Sequence, residues 1–376
     1  MRAQLLRDFD RFGRELPPDW AEHVRSAYSI DLTAAYLDEP IPHPIGKASG
    51  QLSLNPDQLE ADAQAGLAFT ILKTAIGEDE TGARTMAAWA TAETRMRVER
   101  RAAPDGREGW TVTWKGRGWG GTLAEYLALV RAGRDLTRAG RLLVVPSLKL
   151  NLPLLDAPFS EGEYRHTVGA LRSAWGGEPL LVEKDFSPTL AGDALADERA
   201  RVLRWLREVP DRMRAASPGP MRLALKLMNA RFDEAFQVEM LDAARGADAV
   251  TVFNRLWDAS AGVAYGGWEL SDRNLRVLAM APLATPRSGT GNICSGRMIV
   301  EYARRGCTSV QLHTFFQLPR TEFPGTGGSR TARALHALVF DPGAGLIAVM
   351  LELEAAGVLV RERGELRFMD LARTPP

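Results

Sequence analysis

The sequence predicts an α/β fold in which helices cover a parallel sheet, and three observations carry that prediction. The chain has 376 residues, above the usual single-domain size but within the range of one α/β barrel with additions. A unit of helix, glycine stop, apolar run and polar residue recurs along it. The polar residues collect just after the apolar runs, at the carboxyl ends of the predicted strands. Closed barrels and open doubly wound sheets both bind ligands on that side.

Residues 1 to about 28 read as a polar helical lead-in. In "NPDQLEADAQAGLAFTILKTA", Asn55 caps a helix, Pro56 suits its first turn and Gly66 stops it. The run Leu67 to Leu72 is then a buried strand that delivers Lys73 and Thr74. A hairpin excursion follows in "RVERRAAPDGREGWTVTWKGRGWGG", turning at "PDGRE" and ending in a Gly/Trp-rich loop. Long loops of this kind often form lids. Trp110, Trp114 and Trp119 either line a ligand pocket or pack in the core. "RLLVVPSLKLN" reads as one more strand.

In "SEGEYRHTVGALRSAWGGEPLLVEKDFSP", Ser160 and Glu163 form a capping box, and Gly176 and Gly177 end the helix. The strand Pro179 to Val182 delivers Glu183, Lys184 and Asp185. "MRLALKLMN" carries Lys226 inside an apolar run. In "FDEAFQVEMLDAARGADAVTVFN" the helix ends at Gly246, and the strand Ala249 to Phe253 delivers Asn254. In "SGRMIVEYARRGCTSVQLHTFF", Gly306 ends the helix and the strand Thr308 to Leu312 delivers His313 and Thr314. Just upstream, "SGTGNICSG" places three glycines and an asparagine before a helix. Such a loop either brings backbone N–H groups to an anion or is a surface turn. After about residue 340 the pattern gives a helix and a small hairpin turning at Arg363-Gly364.

Composition narrows the function classes. The 47 basic and 47 acidic residues balance, so no global field points to nucleic acid. The two cysteines, Cys294 and Cys307, have neither disulfide-framework nor cluster-ligand spacing, and no metal is expected. The N-terminus is charged throughout, with no signal-peptide core, and no stretch reaches the roughly 20 apolar residues of a membrane helix. The expectation is a soluble, cytoplasmic chain that binds a small molecule.

Several segments resemble the dihydroorotate dehydrogenase family, above all its soluble class. "IDLTAAYLDEPIPHPIGKASG" is similar to its opening hairpin and first strand, and "ILKTA", "ALKLMN" and "DAVTVFN" to later strands. "AYGGWELSDRNLRVL" is similar to its glycine pair and following helix, and "GTGNICSGRMIVEYARRGCTSVQLHTFF" to its phosphate-binding half. The resemblance spans about residues 29 to 335. It implies a (β/α)8 barrel (a TIM barrel) over 29–340, with the lead-in before it, the hairpin inserted after strand 2 and a helix-hairpin extension over 341–376. It also implies bound FMN. Ala48, Ser49 and Gly50 would approach the ring and ribityl chain, with Thr74 nearby. Lys73 and Lys226 would sit by the isoalloxazine, where a cation stabilises the reduced anionic flavin. Asn254 would lie beside ring and substrate, and Gly266 and Gly267 would pass close to the flavin. Gly291, Asn292, His313 and Thr314 would surround the phosphate. Relatives of this type are often homodimers.

The departures point away from dihydroorotate. In "EKDFSPT", Asp185 replaces an asparagine of the family's substrate site, and Ser187 stands where its base is expected, in a segment one residue shorter. The asparagine-rich substrate loop is replaced by "TWKGRGWGG", which offers Lys115, Arg117 and Trp119. Arg117 either clamps a substrate carboxylate or is a solvated loop charge. His313 stands where a small residue is common. The expected reaction is hydride transfer between a small organic substrate and the flavin. Ser187, Asp185 and Lys115 are the proton-transfer candidates, and Lys73 the cation at the ring. Three alternatives stay open: a true dihydroorotate dehydrogenase with a diverged pocket, an FMN- or phosphate-binding barrel without turnover, and a flavin-free barrel using Lys73 or Lys226 as a Schiff-base amine.

Overall fold

The computed structural model describes residues 1–87, 95–102, 108–115, 118–186, 198–230, 232–258, 263–282, 285–325 and 327–374. Its centre is a ten-stranded sheet in the order Ala75–Ile76, Ser147–Lys149, Leu180–Asp185, Met221–Lys226, Ala249–Val252, Arg287–Gly289, Cys307–Leu312, Ile45–Lys47, Phe69–Ile71 and Leu143–Val145. Every neighbouring pair is parallel. The mixed α/β class with a parallel sheet is therefore as the alternating pattern predicts. Two expected strands are broken. "RLLVVPSLKLN" splits at Pro146, which has no N–H for the ladder, although its carbonyl still accepts from the Glu183 amide at 2.9 Å. The run after Phe69–Ile71 breaks at residues 72–74 and resumes as Ala75–Ile76. Both break points sit at the carboxyl ends of strands, where Lys73, Thr74 and Lys149 emerge.

The sheet interior is buried and partly polar. Tyr36 and Phe69 stack with ring centroids 4.6 Å apart. Gly46 makes room for that ring, since a β-carbon there would lie 2.2 Å from Phe69. Beside them Glu183, fully buried, accepts through Oε2 from Tyr36, Thr251 and Gln311 at 3.2, 3.1 and 2.9 Å. A buried carboxylate needs such donors to offset lost hydration.

The predicted caps are partly formed. The Asn55 side chain accepts from Gln58 N, with Pro56 opening the helix Pro56–Gln64. The capping box expected at Ser160 and Glu163 is absent: Ser160 makes no side-chain cap bond. Glu163 is buried and turns inward to accept from Thr85 Oγ1 at 2.6 Å and Asn151 N at 2.7 Å. Tertiary donors outcompete the local pattern. A reciprocal box stands instead at Thr122 and Glu125.

The hairpin excursion is present as Arg95–Ala102 and Glu108–Lys115, antiparallel, with its turn outside the described residues. It is extended by Val263–Gly266, paired with 112–114, and by Leu256–Asp258. This makes a second, four-stranded sheet. The lead-in forms the helices Arg2–Phe12 and Trp20–Tyr28. The C-terminal turn at Arg363-Gly364 is tight, with a Glu362–Glu365 bridge. The strand Leu366–Arg367 then pairs in parallel with Ile30–Asp31, tying the two ends of the chain together. Among the described residues no helix is long and apolar enough to cross a membrane.

Candidate functional site

The carboxyl ends of the parallel strands and one edge of the antiparallel sheet enclose a pocket with about 1070 Å³ between its walls, open mouth included. Most of the residues singled out from the sequence meet there. Ile45–Lys47 leads to Ala48 and Ser49, Phe69–Ile71 to Lys73 and Thr74, and Leu180–Asp185 ends on Asp185. Lys226, Asn254, Gly291, Asn292, His313 and Thr314 close the circle, with Gly266 and Gly267 over it. Val112 and Ala264 bring the antiparallel sheet to the wall.

On one side the charges interlock. Asp185, 5 % exposed, accepts from Thr74 Oγ1 at 3.2 Å and faces Lys149 Nζ at 3.6 Å. Its Oδ1 forms no hydrogen bond among the described residues. Thr74 Oγ1 also shares hydrogen bonds with Ser49 Oγ at 2.8 Å and Ser147 Oγ at 3.0 Å. Lys226 Nζ lies 3.8 Å from Glu183 Oε1, which joins the site to the buried network below. Burial alone would raise the Asp185 carboxyl, but Lys149, Lys226 and Lys184 outweigh it and hold Asp185 below the usual range. Burial brings the Lys73 amine down to about 8 against the pull of Asp185, with Lys149, Lys226 and Arg255 pushing the same way. Burial, then Lys149, brings Lys184 to about 7.

On the other side backbone dominates. Thr290 N donates to Val252 O at 2.7 Å, and Thr290 Oγ1 to Gln311 O at 2.9 Å. Gly291 has φ +111, and a β-carbon there would lie 2.5 Å from Asn274 Nδ2 and 2.8 Å from Phe253 O. Asn292, with φ +55, donates through Nδ2 to the Trp110 carbonyl of the hairpin. The amides of Gly291, Asn292 and Ile293 donate to no acceptor among the described residues. Ser295 caps the helix Gly296–Ala303 by accepting from Met298 N at 3.2 Å. The glycines of "SGTGNICSG" thus have different reasons. Gly291 serves the pocket, whereas Gly289 and Gly296 give way to Tyr302 and to the Gly345-Leu346 backbone.

Some expected residues stand elsewhere. Gly50 does not line the pocket; it accommodates the His313 ring, 1.9 Å from where its β-carbon would be. Trp119 is fastened at the rim, its backbone N donating to Thr74 O at 2.6 Å and its indole to Thr122 O at 3.1 Å. Lys115 ends the hairpin strand opposite Arg95. Ser187 and Arg117 lie outside the described residues. Two cations were missed. Lys149 sits in "SLKLN", the same pattern as Lys226 in "ALKLMN", and that likeness was available. Arg255 follows Asn254, donates through Nη2 to Thr314 Oγ1 at 3.0 Å and is lowered by burial to about 10. His313 falls well below its ordinary value through burial and then the charge of Arg255, so it is neutral at pH 7. No protein-family model matches this chain, and no curated protein matches it either.

Proposed function

We propose that this chain is an FMN-dependent oxidoreductase acting on a small organic substrate other than dihydroorotate. The observation that carries the reading is the charge of the pocket wall. Lys73, Lys149, Lys226 and Arg255 face one cavity at the carboxyl ends of parallel strands, and Asp185 is the one carboxylate among the described lining residues. Such a wall suits a ligand that has a phosphate and a ring gaining negative charge on reduction. Gly266, Gly267 and Gly291 leave room for backbone to approach it. Lys73 and Lys226 would hold the ring, and the 290–293 loop with Thr314 the phosphate. The ten strands are read as one closed (β/α)8 barrel. The two outer strands, Ala75–Ile76 and Leu143–Val145, are halves of broken strands whose other halves pair within the sheet, so counting each broken strand once gives eight.

FMN bound there would supply a two-electron donor and acceptor at its N5. The chain's own part is the coupled proton. Asp185 stays ionised at neutral pH, and its Oδ1 is the atom that takes or returns that proton. Thr74 orients the carboxylate through Oδ2, and Lys149 and Lys226 keep it charged. Ionised Asp185 only accepts hydrogen bonds, where an amide both donates and accepts. A site so changed discriminates against a substrate fitted to paired amides. The visible absorption spectrum of the purified protein, with mass analysis of any released cofactor, tests the reading. Flavin bands and released FMN are expected. A colourless protein that takes up no added FMN ends it.

A second reading has its own observation. The Lys73 amine at about 8 is within range of a nucleophile, as a flavin-free aldolase or isomerase would require. Borohydride reduction in the presence of a carbonyl compound would then add its mass at Lys73.

A further inference from the structure

Beneath the pocket lies a charge that the core does not need. Glu183, fully buried, comes two residues before Asp185 on the strand Leu180–Asp185, so both face the same side of the sheet, with Glu183 one layer deeper. Its Oε2 takes three neutral donors, Tyr36 Oη, Thr251 Oγ1 and Gln311 Nε2. Burial and then the charge of Glu183 push Tyr36 well above its ordinary range, so the phenol remains a donor. A glutamine carbonyl would accept the same three bonds, and burying a charge is costly unless a partner offsets it. The other oxygen, Oε1, forms no hydrogen bond among the described residues. It faces Lys226 Nζ at 3.8 Å, too far for a hydrogen bond but close enough for strong attraction between buried charges. Lys226 is itself buried, lines the pocket and stands level with Asp185 in the strand register. The three bonds to Oε2 fix the carboxylate and keep Oε1 aimed at the lysine. Glu183 does not line the pocket, and Lys226 is the group through which it reaches the ligand.

We infer that Glu183 is a positioning residue: it tethers the Lys226 ammonium to the pocket floor and so limits how strongly that charge draws electrons onto the ligand's ring. The inference rests on the flavin reading and names what regulates the cofactor's redox poise. The full-length protein with FMN bound is equilibrated with a reference dye, and the ratio of reduced to oxidised flavin is read from the spectrum. Circular dichroism checks the folding of each variant. Glu183→Gln keeps the shape and releases the ammonium towards the ring, where positive charge favours the reduced, anionic flavin. The ratio at fixed dye poise rises about 10-fold, about 30 mV for a two-electron couple. Lys226→Met lowers the ratio, and in that background Glu183→Gln changes it far less. Thr251→Val, which removes one donor and leaves the charge, tightens the tether and lowers the ratio about 2- to 5-fold only while Lys226 is present; it serves if Glu183→Gln does not fold. An unchanged or lowered ratio in Glu183→Gln, or an unchanged or raised one in Thr251→Val, overturns the tether and leaves Glu183 to the core alone. An equal shift with and without Lys226 also overturns it, since Glu183 would then act by its own charge. In each of these cases the flavin reading stands. A wild type that binds no FMN overturns the flavin reading itself.

Discussion

The two halves of the pocket differ in what faces their cations. On one, Lys149 and Lys226 stand 3.6 and 3.8 Å from the carboxylates of Asp185 and Glu183. On the other, Arg255 meets the hydroxyl of Thr314, beside His313 and a loop whose amides have no acceptor among the described residues, and the described lining residues there add no carboxylate. The first half carries its own counter-charge, which keeps Asp185 ionised at neutral pH. The second fits an anion brought by the ligand. In the proposed reading the first half handles the proton and the second the cofactor, so substitutions in the two halves should fail differently.

The largest effect is expected at Asp185. Asp185→Asn keeps the shape and removes the charge, so turnover with any substrate that reduces the flavin should fall about 100- to 10,000-fold, the range of general acid–base contributions. FMN affinity should hardly move. Single-turnover flavin reduction beside an FMN titration checks this. Retained turnover would shift the proton role to Ser187.

Lys73 should show the cost of that half. Its amine loses its proton near 8 in the folded chain, against an ordinary value of 10.5. Between those values the unfolded chain binds the extra proton, so stability rises with pH there; below about 8 the full penalty is present, on the order of 3 kcal/mol. Lys73→Met should therefore stabilise the protein at pH 7 by about 1–3 kcal/mol while weakening flavin binding, a trade typical of active sites. The gain should fade as pH approaches 10.5, and urea unfolding at both ends of that window measures it. A destabilised variant at pH 7 would mean that the cation is held by the fold rather than imposed on it.

This asymmetry also explains what the sequence disclosed. Lys73 was legible because it follows an apolar run and Lys226 because it interrupts one, and both are local properties. Lys149 lies inside "RLLVVPSLKLN", which reads as a strand, and Pro146 splits that strand so that Lys149 ends its second piece, Ser147–Lys149. Arg255 was hidden because its direction is fixed by Gly266 and Thr314, which only the fold brings near. The Gly50–His313 contact joins the first strand's end to the last, which the Ala-Ser-Gly segment alone does not disclose. Ser160 and Glu163 show the converse, a good local motif undone by tertiary donors. The hairpin was readable from its turn and alternation. Its pairing with Val263–Gly266 was not, since nothing in either segment names the other.

On the loop side, Gly291→Ala should cost about 1–3 kcal/mol, because φ +111 strains any side chain and the new carbon meets Asn274 Nδ2. Denaturant midpoints give the cost. If the two halves are separable, FMN affinity should fall further than that loss implies and the riboflavin affinity less. An equal fall for both ligands would mean that the loop shapes the whole cavity.

The smallest effect should come from Asn292→Gly. Glycine keeps the left-handed conformation at φ +55, so the backbone is not strained, and only the hydrogen bond to the Trp110 carbonyl is lost. Stability should change by no more than about 1 kcal/mol. That bond, however, links the loop Thr290–Ile293 to the hairpin whose Val112 lines the pocket. Amide hydrogen exchange along Glu108–Lys115 should therefore quicken, and bound flavin should leave faster with little change in its rate of arrival. Unchanged protection would show that the pairing of 112–114 with Val263–Gly266 holds the hairpin alone, and the loop would then grip the ligand without gating it.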